Sequence, residues 1–155
     1  MKSLPLLAGL ATLALGTLVH ADAHSDLPPA VKARQAHMQL YAHNLGVLGG
    51  MAQEKIDYDA AAASAAAANL AALAQLDQSS YWPEGTDNAS IEGTKALPAI
   101  WTDFDGVMTA NEGLVEASAA MSDVAGDGLD ALKGAMRPLG QACSACHQDY
   151  RQRDN

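Results

Sequence analysis

The stretch Cys143-Ser144-Ala145-Cys146-His147, close to the C-terminus, decides how the rest of the chain is read. Its C-x-x-C-H spacing reads as an attachment site for a c-type haem. On a helix, residues three and four apart share one face. At about 3.6 residues per turn, the two thiols and the imidazole therefore fall within about 100° of arc. Each thiol on that arc can form a thioether with one haem vinyl group, and the imidazole can reach the iron as proximal ligand. Two rival readings fail. A redox dithiol belongs at a strand-to-helix turn, and no strand alternation of any length appears. A structural zinc site needs four ligands, usually two cysteine pairs, and the chain has only these 2 cysteines.

Downstream of His147 the tail is Gln148-Asp149-Tyr150-Arg151-Gln152-Arg153-Asp154-Asn155, with neither Met nor His. A sixth iron ligand of either type must come from upstream. Immediately upstream, Leu129, Leu132, Met136, Leu139, Cys143, Cys146 and Tyr150 recur at alternating three and four. The attachment site thus lies on the core face of a last helix, which Asp127 can cap and Pro138 should bend.

Three further helical segments precede it. The first spans about Pro28 to Gly49, with Asp26 as N-cap and Gly49-Gly50 as its end. Its stripe is Leu27, Val31, Arg34, Met38, Tyr41, Leu45 and Leu48. The second spans about Asp59 to Leu76 and is mostly alanine, the best helix former. Its small side chains allow another backbone to approach closely, so it packs in a bundle and permits a homodimer without requiring one. The third starts at Pro98 and presents Ile100, Trp101, Phe104, Val107, Met108, Leu114, Val115 and Met121. Between the second and third lies the long loop 77–97, in which Trp82 is expected to cap a hydrophobic end. The fold expected is all-α: an antiparallel up-down-up-down bundle of four helices, with haem attached near the end of the last.

The chain opens with Met1-Lys2-Ser3, an apolar run from Leu4 to Val19, and His20-Ala21-Asp22-Ala23. That is the pattern of a secretory leader over residues 1–21, cleaved after Ala21 or alternatively after Ala23. The run is short for a membrane span, which needs about 20 apolar residues. Residues 22–155 then form one haem domain. Export fits the haem, because thioether attachment of this kind occurs outside the cytoplasm, and it places the protein in the periplasm. The formal charge is −9 at pH 7, which argues against nucleic acid and anionic membranes as partners. It suits redox partners with basic docking patches.

These features together resemble the class II cytochromes c, the cytochrome c′ family. The resemblance covers nearly the whole mature chain. It rests on Cys143 to His147 near the C-terminus, Tyr150-Arg151 after it, Arg34 with Met38, Tyr58-Asp59, and Ile100-Trp101. It implies the four-helix bundle and one covalent haem c with its iron. It also implies dimers through the first two helices in some members. In the branch most like this chain, the cytochrome c-556 type, a methionine on the first helix is the sixth ligand. That position here is Met38. The other branch has an apolar residue there and a five-coordinate iron that binds small gases. The resemblance further implies that Arg34 pairs with a haem propionate and that Arg151 lies near the haem on the proximal side.

His37 and His43 are the rivals to Met38, but both lie off the Arg34–Met38–Leu45 stripe and are expected to face solvent or a neighbouring helix. Met108, Met121 and Met136 are expected to fill the core. The expected function is electron transfer through a six-coordinate His147/Met38 haem, with no enzymatic role. The alternative is a five-coordinate protein binding nitric oxide or carbon monoxide. A peroxidase would need an open iron and a distal acid–base group, for which only His37 or His43 could serve.

Overall fold

The computed structural model describes residues 27–154. The expected leader, residues 1–21, and the expected cap Asp26 lie outside the described residues. In chain order the helices are α1 (Pro29–Ala52), α2 (Ala60–Ala74), the single turn α3 (Ala99–Thr102), α4 (Phe104–Val124) and α5 (Leu129–Tyr150). A 3-10 turn, Ser79–Tyr81, lies within the loop between α2 and α3. No strand is present among the described residues, only an antiparallel bridge between Ala96 and Arg151. The four long helices form the bundle that the apolar spacing predicts.

The core has two parts. The larger runs through the middle of the bundle around Leu48, Leu70, Met121, Leu132 and Leu139, all fully buried. Here α2 contributes Ala63, Ala66, Ala67 and Ala74, whose small side chains let α1 and α4 close upon it. The smaller part lies at the end that carries the cysteines. Ala96, Ile100 and Tyr150 are its buried members, and Trp82, Trp101, Val107 and Cys146 pack against them. Trp82 thus covers a hydrophobic end, as its place in the loop suggests.

Helix boundaries depart from the sequence reading in four places. First, α1 continues past Gly49-Gly50 to Ala52. These glycines serve close packing rather than termination: Gly49 is buried, and a Cβ on Gly50 would sit 3.2 Å from Ile56 Cδ1. Second, the third segment is broken at Asp103, where the backbone leaves helical angles (φ −135°, ψ 56°) and the side chain accepts from Gly106 N to start α4. Third, α5 is not capped by Asp127. Its N-cap is Gly128 at φ 122°, whose amide donates to Tyr58 Oη at 2.9 Å. Tyr58 Oη in turn donates to Ala125 O at 2.9 Å, so one phenol fastens the α4–α5 connection. Fourth, α2 ends at Ala74, and Leu76 stands exposed beyond it. Pro138 lies inside α5, which stays helical to Tyr150.

Candidate haem site

Helix α5 holds Cys143, Cys146 and His147 in unbroken helix, so the three share one face as their spacing requires. Both thiols are half-buried. Burial pushes each above the ordinary cysteine value, and for Cys146 the neighbouring Cys143 and Asp149 add to this. A reactive redox pair has the opposite property, a lowered thiol pKa. The environment therefore argues against a dithiol switch and leaves the thioether reading intact. The imidazole of His147 reaches the surface, yet partial desolvation, and then the Arg151 guanidinium, hold it below the usual histidine value. A neutral imidazole is the form that binds iron.

Two pairs give the register between α1 and α5. A Cβ on Gly49 would lie 3.8 Å from Met136 Cε. Tyr41 lies near enough to Cys143 for its charge to help burial raise the phenol pKa. A later residue on one helix meets an earlier one on the other, so the two run antiparallel. Three residues back from Tyr41 is Met38, and three residues on from Cys143 is Cys146. Extended at equal rise along both helices, this register brings Met38 toward the level of Cys146 and His147.

Met38 is 40% exposed, and so are Phe104 (53%) and Met108 (43%) at the start of α4. Val107, beside Met108, packs in the same cluster as Cys146. Large apolar side chains left open at the level of the attachment cysteines fit a site that a large apolar ring covers. The hydroxyl of Tyr41, also near Cys143, is buried with no hydrogen-bond partner among the described residues. The donor set and its apolar surroundings therefore fit covalent haem, with Cys143 and Cys146 to attach it and His147 to bind its iron.

The inner face of α1 differs from the expected stripe in two places, where His37 stands in for Met38 and Asn44 for Leu45. Val31, Arg34, His37, Tyr41, Asn44 and Leu48 are buried. Of the two orientations expected for His37, the inward one holds: its ring stacks on Tyr41 at 4.9 Å and meets Tyr81 edge-on at 5.9 Å. Neither ring nitrogen meets full hydrogen-bond geometry among the described residues, while the nearby backbone of Leu73 partly offsets the effect of burial. Burial lowers its pKa, which favours the neutral ring. His43 is exposed.

Arg34 lies inside rather than at a solvated edge, with 3% of its surface exposed. Its guanidinium donates to Tyr81 O (3.2 Å), Thr86 Oγ1 (2.8 Å), Thr86 O and Thr94 Oγ1 (2.9 Å). The indole of Trp82 lies over it, 4.9 Å from Cζ to the ring centre. Four of its five N–H groups are thereby engaged, leaving Nε–H. Desolvation lowers its pKa and Asp87 opposes this. Arg151 is outside the helix, in extended backbone at the C-cap of α5, where its guanidinium bonds Asp154 at 2.9 Å. Its charge lies near enough to His147 to help hold the imidazole below the usual histidine value.

Several contacts at this end are not legible from the sequence. Thr86 and Thr94 come from the loop, 52 and 60 residues from Arg34, and carry no local signal. Tyr150 Oη donates to Asp103 Oδ2 at 2.6 Å, tying the haem-bearing helix to the start of α4. Gly106 makes room for that bond, because a Cβ there would overlap both the phenol oxygen and the carboxylate.

Known proteins are similar to this chain in sequence and fold. The family model described as Cytochrome C′ matches residues 29–151. A cytochrome c-554 of Cereibacter sphaeroides is 42% identical over 154 residues, covering 99% of this chain and 100% of the relative. A cytochrome c′ of the same organism is 38% identical over 142 residues, covering 92% and 95%. The solved cytochrome c′ from Rhodobacter Spheriodes superposes with a TM-score of 0.79 at 37% identity, covering 86% of this chain and 100% of that one. The chain belongs to the cytochrome c′ family of haem proteins.

Proposed function

We propose that this protein is an exported electron-transfer cytochrome whose iron is held by His147 and Met38. Bound haem c supplies a one-electron ferric–ferrous couple. The observation that carries the reading is the exposed thioether of Met38 on α1, a helix that runs antiparallel to the one bearing Cys146 and His147. Thioether ligation favours the ferrous state and raises the potential relative to a second imidazole. Held by both His147 and Met38, the iron would have no place for a substrate, and a rigid bundle suits an electron carrier. Cys143 and Cys146 hold the ring, Arg151 lends positive charge on the His147 side, and Arg34 can offer a propionate the Nε–H that the loop leaves. Redox proteins are the partners expected. No helix among the described residues is long and apolar enough to cross a membrane. The exposed Leu40 and the alanines of α2 leave one side of the bundle open to a second copy.

Absorption spectra of the oxidised and reduced protein test the proposal. The expected result is sharp reduced α and β bands, with a weak sulfur-to-iron band at the red end of the oxidised spectrum. A broad high-spin spectrum with rapid carbon monoxide binding would instead establish the five-coordinate, gas-binding reading.

A further inference from the structure

We infer that Thr86 and Thr94 are positioning residues: through Arg34 they brace the Met38 turn of α1 against the haem-bearing end of α5, and so govern how firmly Met38 stays on iron. The inference rests on Met38 being the ligand.

Arg34 lies one turn before Met38. Its four hydrogen bonds all go to the loop 77–97, and the two threonines that receive three of them are largely sealed from water: Thr86 is 6% exposed and Thr94 7%. Thr86 Oγ1 also donates to Pro83 O at 2.7 Å, which sets the turn that presents it. The same loop is fastened to α5 from its other side. Leu97 N donates to Tyr150 O at 3.0 Å, and Gln152 N to Lys95 O at 2.8 Å. Asn88 Nδ2 donates to Gln152 Oε1 at 3.0 Å. A third link runs through the aromatics. Trp82 lies over Arg34, its carbonyl accepts from Trp101 Nε1 at 3.0 Å, and both indoles pack in the cluster that includes Cys146. The loop thus joins the turn of α1 that carries Met38 to the turn of α5 that carries Cys146 and His147.

The chemistry of the joint is unusual for simple packing. Burying a guanidinium is costly unless its donors are satisfied. Here carbonyls and hydroxyls satisfy them, with Asp87 acting only as a nearby charge. Directional bonds of this kind fix the position and rotation of α1 more narrowly than an apolar contact would. With Met38 as ligand, the fraction of time its thioether would be off the iron depends on how closely α1 is held. Carbon monoxide can bind ferrous iron only in the open fraction. Its association rate therefore scales with that fraction.

The test compares ferrous holoprotein with the Thr86→Val/Thr94→Val double variant. That variant keeps Arg34 and side-chain shape but removes two acceptors. We expect carbon monoxide to associate on the order of tenfold faster, the oxidised sulfur-to-iron band to weaken and the potential to fall. Helix content should be unchanged. Thr86→Ser/Thr94→Ser, which restores the hydroxyls, should recover the wild-type rate. Equal rates and bands in wild type and the valine variant overturn the brace while leaving Met38 as ligand. A wild-type protein with no sulfur band removes the Met38 reading, and the brace with it. If the valine variant does not accumulate as holoprotein, Gln152→Pro cuts the loop from α5 at the surface. It should raise the rate likewise, and no rise would overturn the proposal.

Discussion

At the scale of single residues, Met38 and Tyr150 make separable predictions. Met38→Ala removes the thioether from an open position on α1 and touches none of the fully buried core. The expected outcome is loss of the low-spin spectrum and a lower potential with the bundle retained, read by absorption, redox titration and circular dichroism. An unchanged spectrum excludes Met38 as ligand. Tyr150 is held by Asp103, and this hydrogen bond, then desolvation and the nearby carboxylates, push its phenol up to about 12 from 10.0. A group whose pKa is raised on folding stabilises the fold below its unfolded value and loses that contribution as pH rises through the folded one. Wild type should therefore exceed Tyr150→Phe in stability at pH 8. The gap should close between about pH 10 and pH 12, as followed by denaturant midpoints. A gap that persists to pH 12 assigns the effect to packing instead. The attachment residues were legible in the sequence because C-x-x-C-H carries its chemistry locally. The phase of α1 was not, since positions three and four apart both lie near one face. Only the neighbouring helices decide that His37, not Met38, turns into the core.

Helices obey the same division between local and distant causes. The existence of α1, α2, α4 and α5 follows from three–four apolar spacing and, in α2, from alanine. Their ends do not. Asp103 breaks the third segment because its carboxylate both caps Gly106 N and accepts from Tyr150, a partner 47 residues away. Asp59 is a cap of the local kind, accepting from Ala62 N at 2.8 Å at the head of α2. Asp59→Ala should cost about 1 kcal/mol of stability. Because α2 carries none of the attachment residues, the spectrum and potential should not move. Thermal unfolding and a redox titration on the same sample check both halves. A shifted potential would mean that the alanine helix positions the haem end, contrary to the two-part core. The loop 77–97 reads as turn-rich from its Ser, Gly and Pro content. Its role as the partner of Arg34 comes from threonines too far along the chain for any periodicity to connect.

For the molecule as a whole, the two-part core implies that stability and cofactor chemistry are partly independent. Leu132 is fully buried in the larger cluster, away from the aromatic residues that pack on Cys146. Leu132→Ala should cost about 2–5 kcal/mol through lost transfer energy and a cavity. It should leave the absorption bands in place. Removing the attachment itself does the reverse. In a Cys143→Ser/Cys146→Ser chain the larger core is intact, but Met38, Phe104 and Met108 stay open to water and the smaller cluster has only Ala96, Ile100 and Tyr150 as buried members. Loosening should therefore begin at that end. Hydrogen exchange on this variant should show fast amides in residues 77–97 and in the first turns of α1. The amides around Leu48, Met121 and Leu132 should be slow, in keeping with local opening at the less buried end of a domain. Uniform protection along α1 would show that the aromatic cluster and the Arg34 bonds hold the haem end unaided. Uniform loss would show that the larger core depends on the attached ring. The graded pattern is expected because the apolar covering of Met38, Phe104 and Met108 is lost in this variant while the larger core is untouched.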